Sequence, residues 1–240
     1  LTRHASVRAY RTESGNFAVR IGPPIGPEDR SRFGQETLRD QYRAGRHGLE
    51  NSMFFESFGG KSCTDSPRGI SDALHESGFE GNIYWSIIDH SVPVPAYAIP
   101  LIIGSRRWFR ALETASVLVN NHNFPHFFQK KTGQRYVQTW HGTPLKKIGL
   151  DAPQHSISPS YRRLISREAK QWDLLLAQNA HAARVFPSAF GYHGRIASAG
   201  YPRNDSLVVH LPHKRDSIRE RIGINPGQRA VLYAPTWRDN

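Results

Sequence analysis

From Asn51 onward, short apolar runs of strand length alternate with stretches of helical periodicity, and this alternation constrains the fold more than any other feature. The strand-like runs are Ser52 to Glu56, Asn82 to Ile88, Ala98 to Ile103, Ser116 to Asn120, Arg135 to Trp140, Asp173 to Ala177, Arg195 to Ala199 and Ala230 to Ala234. Helical stretches fall between them, near Pro67 to Glu76, Arg106 to Thr114, Pro125 to Lys131, Tyr161 to Gln171, Ala180 to Phe186 and Lys214 to Ile222. Apolar strands separated by amphipathic helices build βαβ units and a parallel sheet, so the expected fold class is α/β. Ser66 and Pro67 suit an N-cap and first helical position, and Gly200-Tyr201-Pro202-Arg203 reads as a turn ending a strand.

Residues 1–47 are different in kind. They are polar and Arg-rich, with a strand-like piece at Phe17 to Ile21 and one or two helical turns at Glu36 to Tyr42. Between these, Gly22-Pro23-Pro24-Ile25-Gly26-Pro27 interrupts regular structure. The expectation is a lead-in from an upstream element, followed by a domain over 48–228. A fresh strand opens within 229–240, and the chain starts at Leu1, so a piece of a longer polypeptide is expected.

Charge narrows the partners. The formal net charge is +12, from 32 Lys and Arg against 20 Asp and Glu, which suits a polyanion: nucleic acid, an anionic membrane surface or a phosphate-rich polymer. Much of the excess is scattered Arg and reads equally as solvated surface. The five Trp and nine Tyr are dispersed and form no RNA-binding signature. A single cysteine, Cys63, excludes an intramolecular disulfide and a multi-cysteine zinc site, and fits a reducing compartment. The basic start is not followed by the apolar segment of a secretory signal. The run Val92 to Gly104 holds three prolines and falls short of the roughly 20 residues a spanning helix needs. Any membrane contact of this stretch is expected to be peripheral.

The most chemically loaded stretch is Tyr136 to Lys147, where a β-prone run stops at His141, turns through Gly142-Thr143-Pro144 and ends on Lys146 and Lys147. In open α/β sheets, ligands bind beyond the carboxyl ends of the strands. There His141 can exchange a proton near neutral pH, Gly142 lets backbone approach a ligand, Thr143 brings a hydroxyl and the lysines bring positive charge. The set suits phosphoryl chemistry; a turn histidine beside solvated lysines is the bland alternative. Phe54 to Ser62 runs from a strand into Gly59-Gly60-Lys61-Ser62. A P-loop would need glycine at Phe55, so only a weaker reading survives, an anion-binding backbone nest with Lys61 and Ser62. His122, His126 and His141 can be drawn as a metal site, but Pro125 breaks the helix that would align them and no carboxylate completes the set. Structural histidines are favoured, and no cofactor or metal is expected. Arg203 either clamps a phosphate bidentately or pairs with Asp205 to fix its own turn. No Gly-x-Ser-x-Gly elbow is present, and Cys63 lacks a catalytic context.

The stretch Gln138-Thr139-Trp140-His141-Gly142-Thr143-Pro144-Leu145-Lys146-Lys147-Ile148-Gly149 resembles the His-Gly-Thr-Pro-x-Lys signature of the CDP-glycerol glycerophosphotransferase family, the teichoic-acid primases and polymerases of bacterial envelopes. Further likenesses are Phe-Glu-Ser-Phe-Gly-Gly-Lys-Ser at 55–62, the Asn-rich loop after Asn120, and Gly200-Tyr201-Pro202-Arg203-Asn204-Asp205, similar to the family's Gly-x-Pro-Arg-x-Asp turn. Val231 to Asp239 resembles the first strand and loop of the family's second domain, with Arg238 on the donor side and Trp237 packing. The resemblance covers roughly residues 48–240. It implies the acceptor-side Rossmann-like domain of a GT-B enzyme that moves glycerol phosphate from CDP-glycerol to a membrane-linked glycerophosphate acceptor and releases CMP. It further implies His141 as base, with Gly142, Thr143 and Lys146 at the phosphoryl group. Lys61, Ser62 and Arg203 would then bind acceptor phosphates, at the cytoplasmic membrane face and without nucleic acid. The rival expectations are a GT-B transferase using a nucleotide sugar, and a non-catalytic polyanion- or membrane-binding module.

Overall fold

The computed structural model describes residues 6–208 and 212–234. Nine strands are found among them: β1 (Ser6–Arg11), β2 (Phe17–Gly22), β3 (Glu50–Glu56), β4 (Asn82–Ile87), β5 (Ile99–Ile102), β6 (Ala115–Asn120), β7 (Arg135–Gln138), β8 (Leu174–Ala177) and β9 (Arg195–Ser198). Strands β3 to β9 form one sheet in the order β5-β4-β3-β6-β7-β8-β9, every pairing parallel. The α/β, Rossmann-like expectation is the fold observed. The chain walks outward from β3 to β5, then returns to lay β6 on the other side of β3. The β3/β6 boundary is therefore the topological switch point, the place beyond the strand ends where open α/β sheets bind ligands.

Side chains alternate across each strand, so neighbouring residues feed opposite faces of the sheet. Phe54 and Leu118 enter one core cluster with Trp108, Phe124, Tyr136, Phe186 and Phe190. Phe55 and Val119 enter the other with Trp85, Ile83 and Cys63. The first face is covered by α2 (Arg32–Ala44), α4 (Arg106–Thr114), α5 (Pro159–Ala169) and α6 (Ala180–Phe190); α3 (Asp65–Glu76) packs Ile70 and Leu74 on the second. Both faces being buried explains why the strands read as nearly unbroken apolar runs.

The segment before Asn51 is more structured than its composition suggests. Strands β1 and β2 form an antiparallel hairpin, and α1 (Pro27–Arg30) leads into α2. Ser31 caps α2 through its hydroxyl, which accepts from the Gly34 amide at 2.9 Å. Leu38 and Tyr42 of α2 lie in the main core.

Four local expectations are corrected. Pro125 to Lys131 is not a helix: side chains take the amides a helix would use, Tyr42 Oη for Gln129 (3.3 Å), Gln171 for Lys130 (2.6 Å) and Gln134 for Lys131 (2.8 Å). Strand β7 ends at Gln138 rather than Trp140, because Trp140 adopts a left-handed conformation (φ 52°) that no strand accommodates. Helix α3 begins at Asp65, which leaves Ser66 and Pro67 buried in its first turn rather than at its cap. Ala230 to Ala234 is irregular and exposed; a strand exists only against a partner, and none among the described residues pairs with it.

Residues 1–204 and 205–240 form two compact units. The second contains α7 (Asp205–Val208) and α8 (Pro212–Arg221), followed by a turn whose Gln228 and Asn225 carbonyls accept from Arg219 at 2.6 and 3.3 Å.

Candidate active site

Beyond the carboxyl ends of β3, β6 and β7, three loops converge at the switch point. The loop after β3 is tied to the loop after β6 by the Phe58 amide, which donates to Asn121 Oδ1 at 2.8 Å. The loop after β7 follows the buried side-chain amide of Gln138. Its Nε2 donates to the His122 carbonyl at 2.9 Å, and its Oε1 accepts from the Trp140 amide at 2.8 Å. That second bond bends the chain out of β7 and into the left-handed Trp140. His141 follows, with its ring stacked on Trp140 (centroids 4.3 Å apart) and tilted against Phe58 (5.8 Å).

The imidazole of His141 is half-buried, and no hydrogen-bond partner for its nitrogens exists among the described residues. Its proton affinity is held below the usual histidine value, first by desolvation and next by His122; Asp65 opposes this and Arg203 adds to it. His122 is itself shifted down, by partial burial and by Lys61. This shift favours the neutral ring, in which one nitrogen can accept a proton.

A fourth segment, the turn after β9, closes the site. Arg203 Nη1 makes a short ion-paired contact to Asp65 Oδ2 and donates to the His141 carbonyl at 3.0 Å. Its guanidinium lies over the Tyr201 ring at 4.2 Å, and Tyr201 Oη is 2.7 Å from Thr143 Oγ1. Asn179, the cap of α6, donates to the same threonine oxygen at 3.2 Å, and His181 Nε2 is 2.9 Å from the Pro144 carbonyl. Phe58, Asp65 and Trp140 are the non-glycine residues with positive φ among the described residues. All three stand in this cluster, each at a cost of about 1–2 kcal/mol that the surrounding bonds must offset.

Beneath the site lie two buried carboxyls. Glu56 accepts from Ser86 at 2.6 Å, and Ser86 in turn accepts from Trp108 Nε1 at 2.8 Å. Glu168 accepts from Tyr136 Oη at 2.6 Å and from the Phe124 amide at 3.0 Å. Burial pushes Glu56 up to about 7 and Glu168 to about 8, against the hydrogen bonds that favour the charged form.

The sequence candidates thus fare differently. His141, Gly142, Thr143 and Arg203 are brought together, and a side chain built on Gly142 would meet open space. Thr143's hydroxyl is already engaged. Lys61 and Lys146 are exposed, and neither makes an ion pair among the described residues. Ser62 Oγ is 2.8 Å from Thr64 Oγ1. The anion nest expected at Gly59-Gly60 is weakened, because the Phe58 and Gly60 amides already donate to Asn121 and to the Ser57 carbonyl. Gly60 instead serves packing, since a Cβ there would stand 2.5 Å from Ile103. Arg203 pairs with Asp65, where the sequence offered Asp205 as its local partner. Arg238 and Trp237 lie outside the described residues. Asp65 carried no sequence signal, and Gln138 was part of a motif without an assigned task. No group of three His, Cys, Asp or Glu among the described residues is placed to hold a metal, and no described helix is long and apolar enough to cross a membrane.

Comparison with known proteins bears on this arrangement. A family model described as CDP-Glycerol:Poly(glycerophosphate) glycerophosphotransferase matches residues 43–240. The teichoic acid poly(glycerol phosphate) polymerase of Bacillus spizizenii is 36% identical over 202 residues, covering 80% of this chain and 51% of that protein. The teichoic acid glycerol-phosphate transferase of Staphylococcus aureus is 33% identical over 210 residues, 80% of this chain and 51% of that protein. Among solved structures, the wall teichoic acid polymerase TagF aligns with a TM-score of 0.78 at 33% identity, over 86% of this chain and 53% of that one. The chain spans about half the length of each of these relatives.

Proposed function

We propose a function from one premise: the chain belongs to the CDP-glycerol:poly(glycerophosphate) glycerophosphotransferase family. In this reading it contributes the acceptor-side, GT-B-type domain of an enzyme that transfers glycerol phosphate from CDP-glycerol to a membrane-linked (poly)glycerophosphate acceptor. The domain comprises residues 48–228, and 229–240 open the donor-side domain. The observation that carries the reading is the half-buried imidazole of His141 at the carboxyl edge of the sheet, beside the switch point, with no hydrogen-bond partner for its nitrogens among the described residues.

His141 removes the proton from the acceptor's terminal hydroxyl as that oxygen attacks the glycerol-bearing phosphorus of CDP-glycerol. The bond from that phosphorus to the bridging oxygen breaks, and CMP leaves with the electron pair. Charge building on the phosphoryl oxygens is met by Lys146 and by the backbone of Gly142 and Thr143. Lys61 and Ser62, exposed on the neighbouring loop, contact acceptor phosphates, and Arg238 serves the donor. The +12 charge draws a polyanionic acceptor and an anionic cytoplasmic leaflet to the protein, which acts there as a peripheral enzyme.

The test is CMP release from CDP-glycerol by the full-length protein. His141→Asn should lower it by about 10²–10⁴-fold and leave salt-sensitive polymer binding intact; turnover within a few-fold of wild type would overturn the reading. Competition by UDP- or GDP-sugars in place of CDP-glycerol would assign the site to a sugar transferase instead.

A further inference from the structure

We propose that Asp65 and Arg203 are positioning residues, which act together through the His141 carbonyl to fix the loop carrying the base, rather than groups that bind substrate. This rests on the reading of His141 given above and reassigns Arg203 within it.

The geometry has three parts. First, Arg203 Nη1 is shared between Asp65 Oδ2 and the His141 carbonyl (3.0 Å), so one guanidinium nitrogen joins the start of α3 to the end of β7. Asp65 is held in turn, because its Oδ1 accepts from the Ser66 amide at 2.6 Å. Second, the turn bearing Arg203 is seated against α3 backbone to backbone: a Cβ on Gly69 would stand 2.4 Å from the Pro202 carbonyl oxygen. The Tyr201 ring supports the guanidinium plane, and Tyr201 Oη ties the same turn to Thr143. Third, Asp65 and Trp140 both hold left-handed backbones, which persist only where neighbouring contacts over-determine them. The Asp65 side chain is 8% exposed and that of Arg203 32%; a carboxylate beside the guanidinium satisfies the charge an incoming phosphate would otherwise meet.

Electrostatics gives the pair a signature that a purely structural role lacks. The groups facing the His141 ring are His122 from the loop after β6, with Lys61 acting on His122, and Asp65 and Arg203 from the clamp. Asp65 favours imidazolium and Arg203 disfavours it. Removing one partner shifts the proton affinity of His141 in a known direction, and removing the other shifts it oppositely.

The experiment measures kcat, KM for CDP-glycerol and KM for acceptor, from pH 5 to 9, in the full-length enzyme. The variants are Arg203→Gln, Arg203→Lys, Asp65→Asn, the Asp65→Asn/Arg203→Gln pair and His141→Asn. Both single neutral variants should lose about 10–100-fold in kcat, the scale of a slightly misplaced catalytic group, with both KM values within about twofold of wild type. The acidic limb of the kcat/KM profile should move to higher pH in Arg203→Gln and to lower pH in Asp65→Asn. The double variant should be no worse than the poorer single, as for residues acting as one unit. Arg203→Lys, which keeps the charge but not the fork, should retain the wild-type limb with reduced kcat, and serves where the Gln variant does not fold. A tenfold or greater rise in either KM with kcat preserved would overturn the proposal and return Arg203 to phosphate binding; so would a limb that stays fixed in both neutral variants. If His141→Asn remains active, the underlying reading falls, and this inference with it. An inactive His141→Asn beside unaffected clamp variants sinks the inference alone.

Discussion

Replacing Gln138 with leucine tests whether a single buried amide sets the course of the chain through the site. Gln138 is fully buried, and its side chain donates to the His122 carbonyl and, at 3.5 Å, to the Tyr136 hydroxyl, and accepts from the Trp140 amide. Leucine keeps nearly the same volume, so the cavity contribution is small. The Trp140 amide, on a residue only 8% exposed, loses its acceptor, at a cost of about 1–3 kcal/mol. The His122 carbonyl, on a half-open loop, can turn to water and adds little. For a chain of this size each kcal/mol lowers Tm by about 2–4 °C, so a fall of about 2–12 °C is expected in a thermal melt. The kinetic effect should be larger than stability suggests. Without the bond to its amide, Trp140 has less to hold it at positive φ, and relaxation toward extended backbone swings His141 away from the crevice. A displacement near 1 Å is worth about 10²-fold in rate, read as CMP release by variant and wild type at saturating substrate. A Gln138→Leu protein that melts and turns over like wild type would refute the idea that this amide holds the loop.

Other expectations follow from the same structure. Gly69→Ala places a methyl group 2.4 Å from the Pro202 carbonyl oxygen, so the turn carrying Arg203 must move; about 1–3 kcal/mol of stability should go, seen in urea unfolding, with a concurrent loss of turnover. Tyr42→Phe removes the hydroxyl that donates to the Gln129 carbonyl (2.7 Å) and accepts from its amide (3.3 Å); about 1–3 kcal/mol should be lost, and an unchanged unfolding midpoint would show that this helix is not integral to the core. Glu56 and Glu168 are raised from an ordinary value near 4.5 to about 7 and about 8, chiefly by burial. Their protonated forms therefore belong to the folded state: the stability they contribute is complete below about pH 4.5 and is lost as pH rises through 7 to 8, with a limiting slope of about 1.4 kcal/mol per pH unit per group. Urea unfolding should show stability falling between about pH 4.5 and 8 and levelling off above, and Glu168→Gln should flatten that decline; an unaltered slope would place the titration elsewhere.

Most of the sheet was legible because burial on both faces leaves a plain record in sequence. Phe54-Phe55, Leu118-Val119 and Leu174 to Ala177 are apolar without a gap, and the strands around them were found to within a residue or two. Pro125 to Lys131 misled because helical spacing of apolar residues also serves a turn whose amides are satisfied by distant side chains, among them Tyr42 and Gln171. In the polar segment before Asn51 only the middle of α2, the turns at Glu36 to Tyr42, was legible, since two buried residues, Leu38 and Tyr42, anchor thirteen.

The chain by itself determined the α/β class, the strand ends from which loops could reach a ligand, and the histidine standing at one of them, because periodicity and residue type are local properties. Only the tertiary structure decided what holds that histidine. Asp65 and Arg203 are 138 positions apart, Gln138 reaches both the His122 carbonyl and the Trp140 amide, and the non-glycine residues with positive φ among the described residues are Phe58, Asp65 and Trp140. No local preference selects these; they arise from packing the parallel sheet, which sets separate loop ends side by side and leaves backbone groups there that must find partners.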